Sequence, residues 1–360
     1  MRVVIFCGGY GTRMWPVSRK SFPKQFYPLI EGKSFFELTY RRFTKVFKPK
    51  DIFVSTEKIY TQFVRKIAPD IPKENIIAEP ERRDNLGAIG LVCAILEKRF
   101  PSEVMVVSWS DHLIGKEGEF LKAIMAAGEY ATQTGLIVSV DEEPGYPSVH
   151  HGWVKLGETI DAFKGYSIVR ITKHIEKPKE NIAKRMFAGG GYLLNTGYRA
   201  WKTDLMLSFY KEYQPAVFEG LTKIMEADGK SYADTIIYRE YHKFPKDSIE
   251  SGIFEKLPED KRVAIPVDVG WRDVGTWELF YKSFKKDENE NLVAGGAAEF
   301  IDSNGNLIIG VKEKIVGAIG ISNLVIVDTP DGLLVATLDK TDKVKELFKT
   351  LEEKKPKFVE

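Results

Sequence analysis

The sequence predicts an α/β protein: a doubly wound, mostly parallel sheet followed by a short β-solenoid. Over residues 1–110, short runs rich in β-branched residues alternate with helix-like segments, the pattern of parallel strands joined by crossover helices. Residues 135–285 continue as mixed α/β. After the polar stretch DENEN at 287–291, short apolar pieces are separated by glycine and asparagine, a rhythm typical of a solenoid. These observations predict one domain over 1–286 and a second over 287–360.

The elements follow in chain order. Ser34 and Thr341 are expected to be helix N-caps, because a hydroxyl there can accept a hydrogen bond from an early helical N–H. The expected strands lie at 2–7, 51–55, 75–78, 103–108, 136–140, 166–171 and 263–269. The expected helices lie at 34–48, 57–68, 84–99, 117–132, 203–212, 215–227, 231–240 and 341–354.

Composition limits the classes of function. A length of 360 residues predicts about two domains, and the net charge of +2 gives no reason to expect nucleic acid or a membrane surface as partner. Cys7 and Cys93 lie in apolar runs and are expected to be buried free thiols. The chain enters a strand at residue 2 and has no run of about 18 apolar residues. We therefore expect a cytoplasmic protein.

Ligands of doubly wound sheets bind beyond the carboxyl ends of the strands. Three segments should meet there: 8–25, 79–85 and 109–114. Each contains residues with binding chemistry, so this edge is the expected functional site.

The first segment contains the glycine-rich loop GGYGTR. Its glycines permit close approach of the backbone, whose N–H groups can bind phosphate oxygens. It lacks the third glycine of a dinucleotide fingerprint, since Met14 stands there, and it lacks the GK[ST] ending of a Walker loop. A plain tight turn is the alternative. The expected phosphate-binding positions are Gly8, Gly9, Gly11 and Thr12.

Basic residues follow the loop and favour phosphate binding. Arg13 offers a bidentate fork, and Lys24 lies between proline and an aromatic residue in FPKQF, an unusual place for a surface lysine. We expect Arg19 and Lys20 to help compensate the charge of a triphosphate. A basic surface loop is the alternative reading.

Acidic residues predict a metal site. Asp111 in WSDHLI directly follows a strand and could hold Mg²⁺ on a nucleotide phosphate, although it could also only cap a turn. Asp273 or Asp268 in DVGWRDVGTW could share the ion, with Asp273 favoured. Glu176 in EKP and Asn195 in LLNTGYRAW need hydrogen-bond partners from either protein or ligand.

Six motifs occur in order within residues 1–280: CGGYGTRMWPVSR with FPKQF, EPERRDNLGAI, WSDHLI, EKP, LLNTGYRAW and VDVGWRDVGTW. Together they resemble the sugar-1-phosphate nucleotidyltransferases, and more narrowly the mannose-1-phosphate guanylyltransferase branch. The family's second-domain motif is replaced here by PGYPSVHHGWVKLG, in which Gly152 covers the expected glycine.

The resemblance implies a Rossmann-like doubly wound mixed sheet and a short left-handed β-helix domain ending in a helix. It implies an Mg²⁺-dependent enzyme that transfers GMP from GTP to α-D-mannose 1-phosphate and releases pyrophosphate. The phosphate of the sugar would attack the α-phosphorus in line, so that catalysis is positioning plus charge stabilisation. Apart from the resemblance, the open ends of a short solenoid favour association, so we expect a homodimer.

Residue roles follow from the resemblance. It assigns Arg13 and Lys24 to catalysis, with Arg13 on the leaving phosphates and Lys24 on the α-phosphate. The nucleotide-binding residues are Gly8, Gly9, Gly11, Thr12, Glu79, Asn85 and Asp111, with Glu79 and Asn85 near guanine. Gly152, Glu176, Lys177 and Asn195 are assigned to the sugar phosphate, and Asp111 and Asp273 to the metal.

Other readings stay open. The chain could use another sugar phosphate or another nucleotide. It could be a non-catalytic regulatory subunit that senses nucleotide sugars, although binding alone would not need the full set of Arg13, Lys24, Asp111 and Asp273. An NAD-dependent oxidoreductase is disfavoured by the missing third glycine. With five histidines and a helical tail, we expect no isomerase activity.

Overall fold

The computed structural model describes residues 1–310 and 313–360. The strands are β1 Arg2–Phe6, β2 Ile52–Glu57, β3 Ile76–Glu79, β4 Val104–Trp109, β5 His112–Leu113, β6 Ile137–Glu142, β7 Trp153–Phe163, β8 Tyr166–Ile175, β9 Tyr192–Leu194, β10 Arg199–Lys202, β11 Arg262–Val267, β12 Arg272–Asp273, β13 Leu292–Ala294, β14 Ala297–Ile301, β15 Leu307–Ile309, β16 Ile315–Ile319, β17 Leu324–Thr329 and β18 Gly332–Thr337. The α-helices are α1 Phe35–Phe43, α2 Thr61–Ile67, α3 Asp84–Arg99, α4 Glu117–Thr134, α5 Glu180–Gly189, α6 Thr203–Tyr213, α7 Pro215–Ala227, α8 Ala233–Tyr241, α9 Ile249–Gly252, α10 Trp277–Ser283 and α11 Val344–Lys354.

The main sheet has the strand order β11-β8-β7-β9-β6-β10-β4-β1-β2-β3. Strands β4, β1, β2 and β3 are parallel neighbours, whereas β10 runs antiparallel between β4 and β6. Two apolar clusters cover the faces; one includes Phe36 and Phe120 from α1 and α4, the other Leu91 and Tyr210 from α3 and α6. The predicted doubly wound mixed α/β fold is confirmed.

Helix starts show where local sequence decides structure. Ser34 is the N-cap of α1, and its Oγ accepts a hydrogen bond from the Glu37 N–H at 3.1 Å, as predicted. The predicted Thr341 cap is wrong. Residues 338–343 form a 3-10 turn in which Thr341 donates back to the Leu338 carbonyl at 3.1 Å, and α11 begins only at Val344.

The C-terminal strands form coils. β13, β15 and β17 pair in parallel, as do β14 and β16, while β18 returns antiparallel onto β17. Buried asparagines link successive coils: Asn291 Oδ1 accepts from Asn306 Nδ2 at 3.0 Å, and Asn306 Oδ1 accepts from the Leu324 N–H at 2.9 Å. These pairings confirm the predicted short β-helix that ends in a helix.

The structure also bears on the expectations for the two cysteines and for membrane-spanning helices. Cys7 and Cys93 are free and buried, as predicted. Across residues 1–310 and 313–360, no helix combines the length and apolar character needed to cross a membrane. The domain division at 286/287 stays a prediction.

Candidate active site

A long cleft opens beyond the carboxyl ends of β1, β3 and β4. It has two adjoining parts, a first cavity of about 610 Å³ and a second cavity of about 820 Å³. Both cavities are lined by Gly8, Gly9, Asp84, Asn85, Trp109 and Asp111. The parallel half of the sheet therefore brings the three expected segments to one edge.

Most of the predicted site residues line this cleft. Glu79 lies in the second cavity. Thr12 and Asp268 are not among the described residues that line either cavity; Thr12 begins a 3-10 turn, and Asp268 pairs with exposed Lys116. The predicted residues in the first cavity are Gly8, Gly9, Gly11, Arg13, Lys24, Asn85, Asp111, Gly152, Glu176, Lys177, Asn195 and Asp273.

The glycine-rich loop packs against the lysine that follows it. Gly11 has φ of +67°, and a Cβ there would lie 2.8 Å from Lys24 Cγ. Gln25 Nε2 donates to the carbonyls of Cys7 and Gly9 at 3.1 and 3.2 Å. Loop and lysine therefore form one packed unit in which a side chain at position 11 would displace Lys24.

Lys24 makes the central polar contact of the first cavity. Its Nζ lies 2.9 Å from Asp111 Oδ2 and donates to the Val274 carbonyl at 3.0 Å, and the residue is only 5% exposed. Desolvation is the largest single influence and favours the protonated carboxyl, but the charge and hydrogen bond of Lys24, together with His112 and a backbone hydrogen bond, outweigh it and lower the pKa of Asp111 to about 2. Lys24 therefore forms an ion pair with Asp111, which follows β4, and a hydrogen bond with the loop after β12.

Strand pairing brings Asp273 to the same place. In the β5–β12 pair, Asp273 lies opposite His112, the residue after Asp111. His112 Nδ1 accepts a hydrogen bond from Trp271 Nε1 at 3.0 Å. Desolvation lowers the pKa of His112 although Asp111 opposes this, so the ring is neutral near pH 7. Two carboxylates from distant segments therefore face one cavity.

A buried carboxylate positions the loop that leads to Asp273. Glu142, at the end of β6, accepts three backbone hydrogen bonds, from the N–H groups of Val269 at 3.0 Å, Gly270 at 2.8 Å and Trp271 at 3.1 Å. The residue is 6% exposed. Glu142 therefore fixes the backbone at the start of β12.

The opposite wall of the first cavity is built by three antiparallel strands. Trp153 of β7 pairs with Ile175 of β8 and with Leu194 of β9, so the adjoining residues 152, 176 and 195 lie side by side. A Cβ on residue 152 would lie 2.9 Å from a Glu176 carboxylate oxygen and 3.5 Å from Asn195 Nδ2. The strand register therefore explains why these distant motifs converge.

His151 lies beside this wall and was not predicted as a site residue. It lines the first cavity and is 7% exposed. Its Nδ1 bonds Ser148 Oγ at 2.8 Å, its ring packs edge-on to Trp271 at 4.9 Å, and within the described chain its buried Nε2 has no partner. Desolvation lowers its pKa to about 4, although Asp273 opposes this. A neutral imidazole therefore offers one unused nitrogen.

A hydrogen-bonded chain connects the two sides of the cleft. Glu250 accepts from Asn85 Nδ2 at 3.3 Å and from Arg199 at 3.0 Å, and Arg199 also donates to Asn195 Oδ1 at 3.1 Å. Asn85 Oδ1 accepts from the Ile249 N–H at 2.7 Å. Both side-chain groups of Asn85 are therefore engaged by protein.

The second cavity is lined by acidic side chains, among them Glu57 and Glu79, and by basic ones such as Arg82. Glu79 accepts hydrogen bonds from Ser55 Oγ at 2.9 Å and Tyr241 OH at 2.8 Å, and burial raises its pKa. Glu57 Oε1 lies 3.5 Å from Arg82 Nε, and burial raises the pKa of Glu57 to about 7 although Arg82 opposes this. This cavity therefore offers several hydrogen-bond acceptors.

The expectation that Arg19 and Lys20 face a triphosphate is wrong. Arg19 donates to Asp331 at 2.8 Å, and Lys20 Nζ lies 2.8 Å from Glu352 and 3.2 Å from Glu360. Both cations point to the C-terminal domain, because acidic residues of that domain pack against the segment after the glycine loop.

Sequence reasoning missed several residues that build the site. Gln25 lies inside FPKQF, and His151 lies in the segment that departs from the family pattern, so each had a local signal. Glu142, Arg199 and Glu250 bind partners more than fifty residues away in the chain, and such contacts leave no local pattern. The missed residues are Gln25, Glu142, His151, Arg199 and Glu250.

The chain is similar to proteins of known family over its whole length. A profile described as Nucleotidyl transferase matches residues 2–290, and one described as MannoseP isomerase/GMP-like beta-helix domain matches residues 298–351. The chain is 28% identical to the mannose-1-phosphate guanylyltransferase of Klebsiella pneumoniae, over 97% of this chain and 74% of that protein.

Two further similarities are stronger in sequence or in structure. Mannose-1-phosphate guanylyltransferase RfbM of Salmonella typhimurium is 31% identical over 96% of this chain and 71% of its own length. The crystal structure of a mannose-1-phosphate geranyltransferase from Thermus thermophilus superposes with a TM-score of 0.87 at 28% identity, covering 98% of this chain and 99% of that one. The chain therefore belongs to the nucleotidyl transferase family, in its mannose-1-phosphate guanylyltransferase branch.

Proposed function

We propose that the protein transfers GMP from GTP to α-D-mannose 1-phosphate and releases pyrophosphate. The observation that carries this proposal is the unit formed by the glycine loop, Lys24 and Asp111, which faces the wall of Gly152, Glu176 and Asn195 across one cavity. A cationic, glycine-lined end suits a triphosphate, and a polar wall suits sugar hydroxyls. The names of the relatives support the choice of GTP and mannose 1-phosphate.

In the proposed reaction, an oxygen of the sugar phosphate attacks the α-phosphorus of GTP. The bond between the α-phosphorus and the oxygen that bridges it to the β-phosphate breaks, and pyrophosphate leaves. The attacking phosphate is already anionic near pH 7, so no protein nucleophile is required. Arg13 would bind the leaving pyrophosphate, and Lys24 would stabilise charge at the α-phosphate. Catalysis is then positioning and electrostatic stabilisation.

We propose Mg²⁺ as the cofactor, held by Asp111 and Asp273. Within residues 1–310 and 313–360, no group of three or more acidic, histidine or cysteine side chains could hold a metal by itself. This donor set fits Mg²⁺, which usually takes one or two carboxylates and completes its shell with phosphates and water. Bound there, the ion would neutralise phosphate charge. Lys24, which now pairs with Asp111, would be free to bind the α-phosphate.

We propose that guanine occupies the second cavity, beside Glu79 and Asn85. Both side chains already have protein partners, so we expect them to shape the pocket. On the opposite side of the cleft, Lys177 binds the sugar phosphate.

The test for the whole proposal is pyrophosphate release from Mg²⁺, mannose 1-phosphate and each of the four NTPs in turn.

The results of this test distinguish a guanylyltransferase from a transferase for another nucleotide and from a regulatory subunit. Release with GTP well above the other nucleotides supports the proposal, with glucose 1-phosphate as the competing sugar. Release with another NTP keeps the chemistry and changes the base. No release from folded protein that still binds GDP-mannose contradicts the enzyme reading and favours a regulatory subunit.

Replacing Gly11 by alanine should lower kcat at least about tenfold, a loss of about 1.4 kcal/mol. The new Cβ would lie 2.8 Å from Lys24 Cγ, and the φ of +67° is strained for alanine. The matched control is Gly32→Ala, which has φ of +76° but no atom within 4 Å of the new Cβ. Equal pyrophosphate release rates in both variants would contradict this role of Gly11.

His151→Phe should raise the KM for mannose 1-phosphate about fivefold while the KM for GTP stays within about twofold, the effect of losing one hydrogen bond. The reason is the unpartnered Nε2 beside the wall of Gly152 and Asn195. His151→Gln should recover part of the loss, because its amide can replace one nitrogen. An unchanged KM in the phenylalanine variant would show that no substrate group uses this nitrogen.

We also propose a cytoplasmic homodimer. Buried free thiols at Cys7 and Cys93 suit a reducing compartment. Apolar side chains at Ile301, Ile315 and Ile319 are 58%, 66% and 70% exposed on β14 and β16, a surface that a second copy would cover. Sedimentation of the purified protein at micromolar concentration would give a monomer mass if this proposal is wrong.

A further inference from the structure

The segment between Arg13 and Lys24 is held from outside the cleft. Its residues Met14, Trp15 and Val17 are buried, at 0%, 7% and 1% exposure, in an apolar cluster shared with the β-helix and α11. Arg13 and Lys24 mark its two ends and line the first cavity. Whatever fixes this segment therefore fixes the spacing of the two cations.

The last residues of the chain bind this segment through the backbone. The Lys20 and Ser21 N–H groups donate to the carbonyls of Val359 and Glu360, both at 2.8 Å. Trp15 Nε1 donates to the Phe358 carbonyl at 2.9 Å. The two backbone bonds depend on the alignment of residues 20–21 with residues 359–360, and the third bond depends on the Trp15 side chain.

An ion pair adds a second attachment. Arg19 is 8% exposed and donates to Asp331 Oδ1 at 2.8 Å, at the turn between β17 and β18. Its guanidinium lies 5.4 Å from the Trp15 ring centre, and a Cβ at position 332 would lie 3.1 Å from its terminal nitrogen. We call Asp331 and residues 358–360, together with their contacts to residues 15–21, the clasp.

Hydrogen bonds within the segment connect the clasp to Lys24 in the cleft. Ser18 Oγ accepts from the Lys24 N–H at 3.0 Å, and the Ser18 N–H donates to the Met14 carbonyl at 3.1 Å. The Arg19 N–H donates to the Phe22 carbonyl at 3.1 Å. Arg19 is therefore attached to the same short turn that holds the Lys24 backbone.

We infer that the C-terminal domain is a working part of the phosphate site, because the clasp fixes Arg13 and Lys24 in the geometry that the reaction needs. This inference rests on the proposed function. Arg19 and Asp331 are positioning residues, and their ion pair gives Arg19 a role other than binding the triphosphate. Preorganised charge is effective because it need not rearrange during the reaction.

The test compares the full-length variants Asp331→Asn and Asp328→Asn. Asp331 is 56% exposed at its side chain, so the substitution should not prevent folding. Asp328 lies on the same hairpin but pairs with Lys314 at 2.9 Å, which makes it the matched control. Two quantities are measured in each: kcat with GTP and mannose 1-phosphate, and amide hydrogen exchange over residues 12–24.

Asp331→Asn should lower kcat about tenfold and speed exchange over residues 12–24 about tenfold, with the KM for mannose 1-phosphate within twofold. Asp331→Glu should recover most of the kcat, and Asp328→Asn should match the unmodified protein. Unchanged kcat in Asp331→Asn, or an equal loss in both asparagine variants, would overturn the inference. If the unmodified protein releases no pyrophosphate, the proposed function fails. Hydrogen exchange in Asp331→Asn then tests the clasp by itself: faster exchange over residues 12–24 supports the clasp, and unchanged exchange overturns it.

Discussion

Lys24→Met is expected to lower kcat about 100-fold, since removal of one preorganised charge contact usually costs 10²–10³ in rate. Lys24 is 5% exposed, and its ammonium bonds both Asp111 Oδ2 and the Val274 carbonyl. Methionine keeps the unbranched side chain as far as Cε but lacks the terminal ammonium, so the charge and both hydrogen bonds are lost. The measurement is pyrophosphate release at saturating GTP and mannose 1-phosphate.

The matched control is Lys116→Met. Lys116 is a lysine whose side chain is 54% exposed, and its partner Asp268 lies outside the cleft. Its kcat should stay within about twofold, as expected for exposed ion pairs, which contribute little. A Lys24→Met enzyme with more than half of the original kcat would remove Lys24 from the mechanism.

The same pair has a defined pH dependence. The pKa of Asp111 is lowered from 3.8 to about 2 because the effect of desolvation is outweighed by the combined effects of Lys24, His112 and a backbone hydrogen bond. A lowered carboxyl pKa gives stability that is present above the unfolded value and lost as the pH falls toward the folded value. The contribution should therefore persist above about pH 4, and in Lys24→Met the pKa of Asp111 should rise.

The sequence was sufficient to locate the site because topology places it. Arg13 and Asp111 follow strands that end at the same sheet edge, so their convergence could be predicted from strand order alone. The residues favoured Asp273 over Asp268 without excluding Asp268, because the two aspartates lie only five positions apart in the same motif. The β5–β12 pairing, which sets Asp273 opposite His112, is a long-range contact without a local signal.

Arg19 shows a second limit. A cation near a glycine loop has the same local pattern whether it faces a phosphate or a carboxylate of another domain. Its partner Asp331 is about three hundred residues away in the chain. Similarly, β7 was missed because register shifts interrupt its pairing with β8 between Lys155 and Asp161, and bulges break the alternation on which strand prediction depends.

Glu142→Gln is expected to affect both activity and stability. The carboxylate accepts three backbone N–H groups at 2.8 to 3.1 Å. A glutamine amide keeps one acceptor oxygen, but its NH₂ group would face a backbone N–H of the loop, and two donors cannot bond each other. Hydrogen bonds to a charged group contribute about 1.5–3 kcal/mol each, so the free energy of unfolding should fall by about 2–4 kcal/mol.

The effect on kcat should be about 30-fold, because displacement of reacting groups by a fraction of an ångström to 1 Å is costly. Since Trp271 leads directly to Asp273, the Mg²⁺ concentration for half-maximal rate should also rise, which a loss of stability alone would not cause. The control is Glu143→Gln, at the exposed next position. If Glu142→Gln is less stable but needs no more Mg²⁺, Glu142 supports the fold without positioning Asp273. If both measures change together, a single carboxylate at the end of β6 determines the position of Asp273, the proposed second ligand of Mg²⁺.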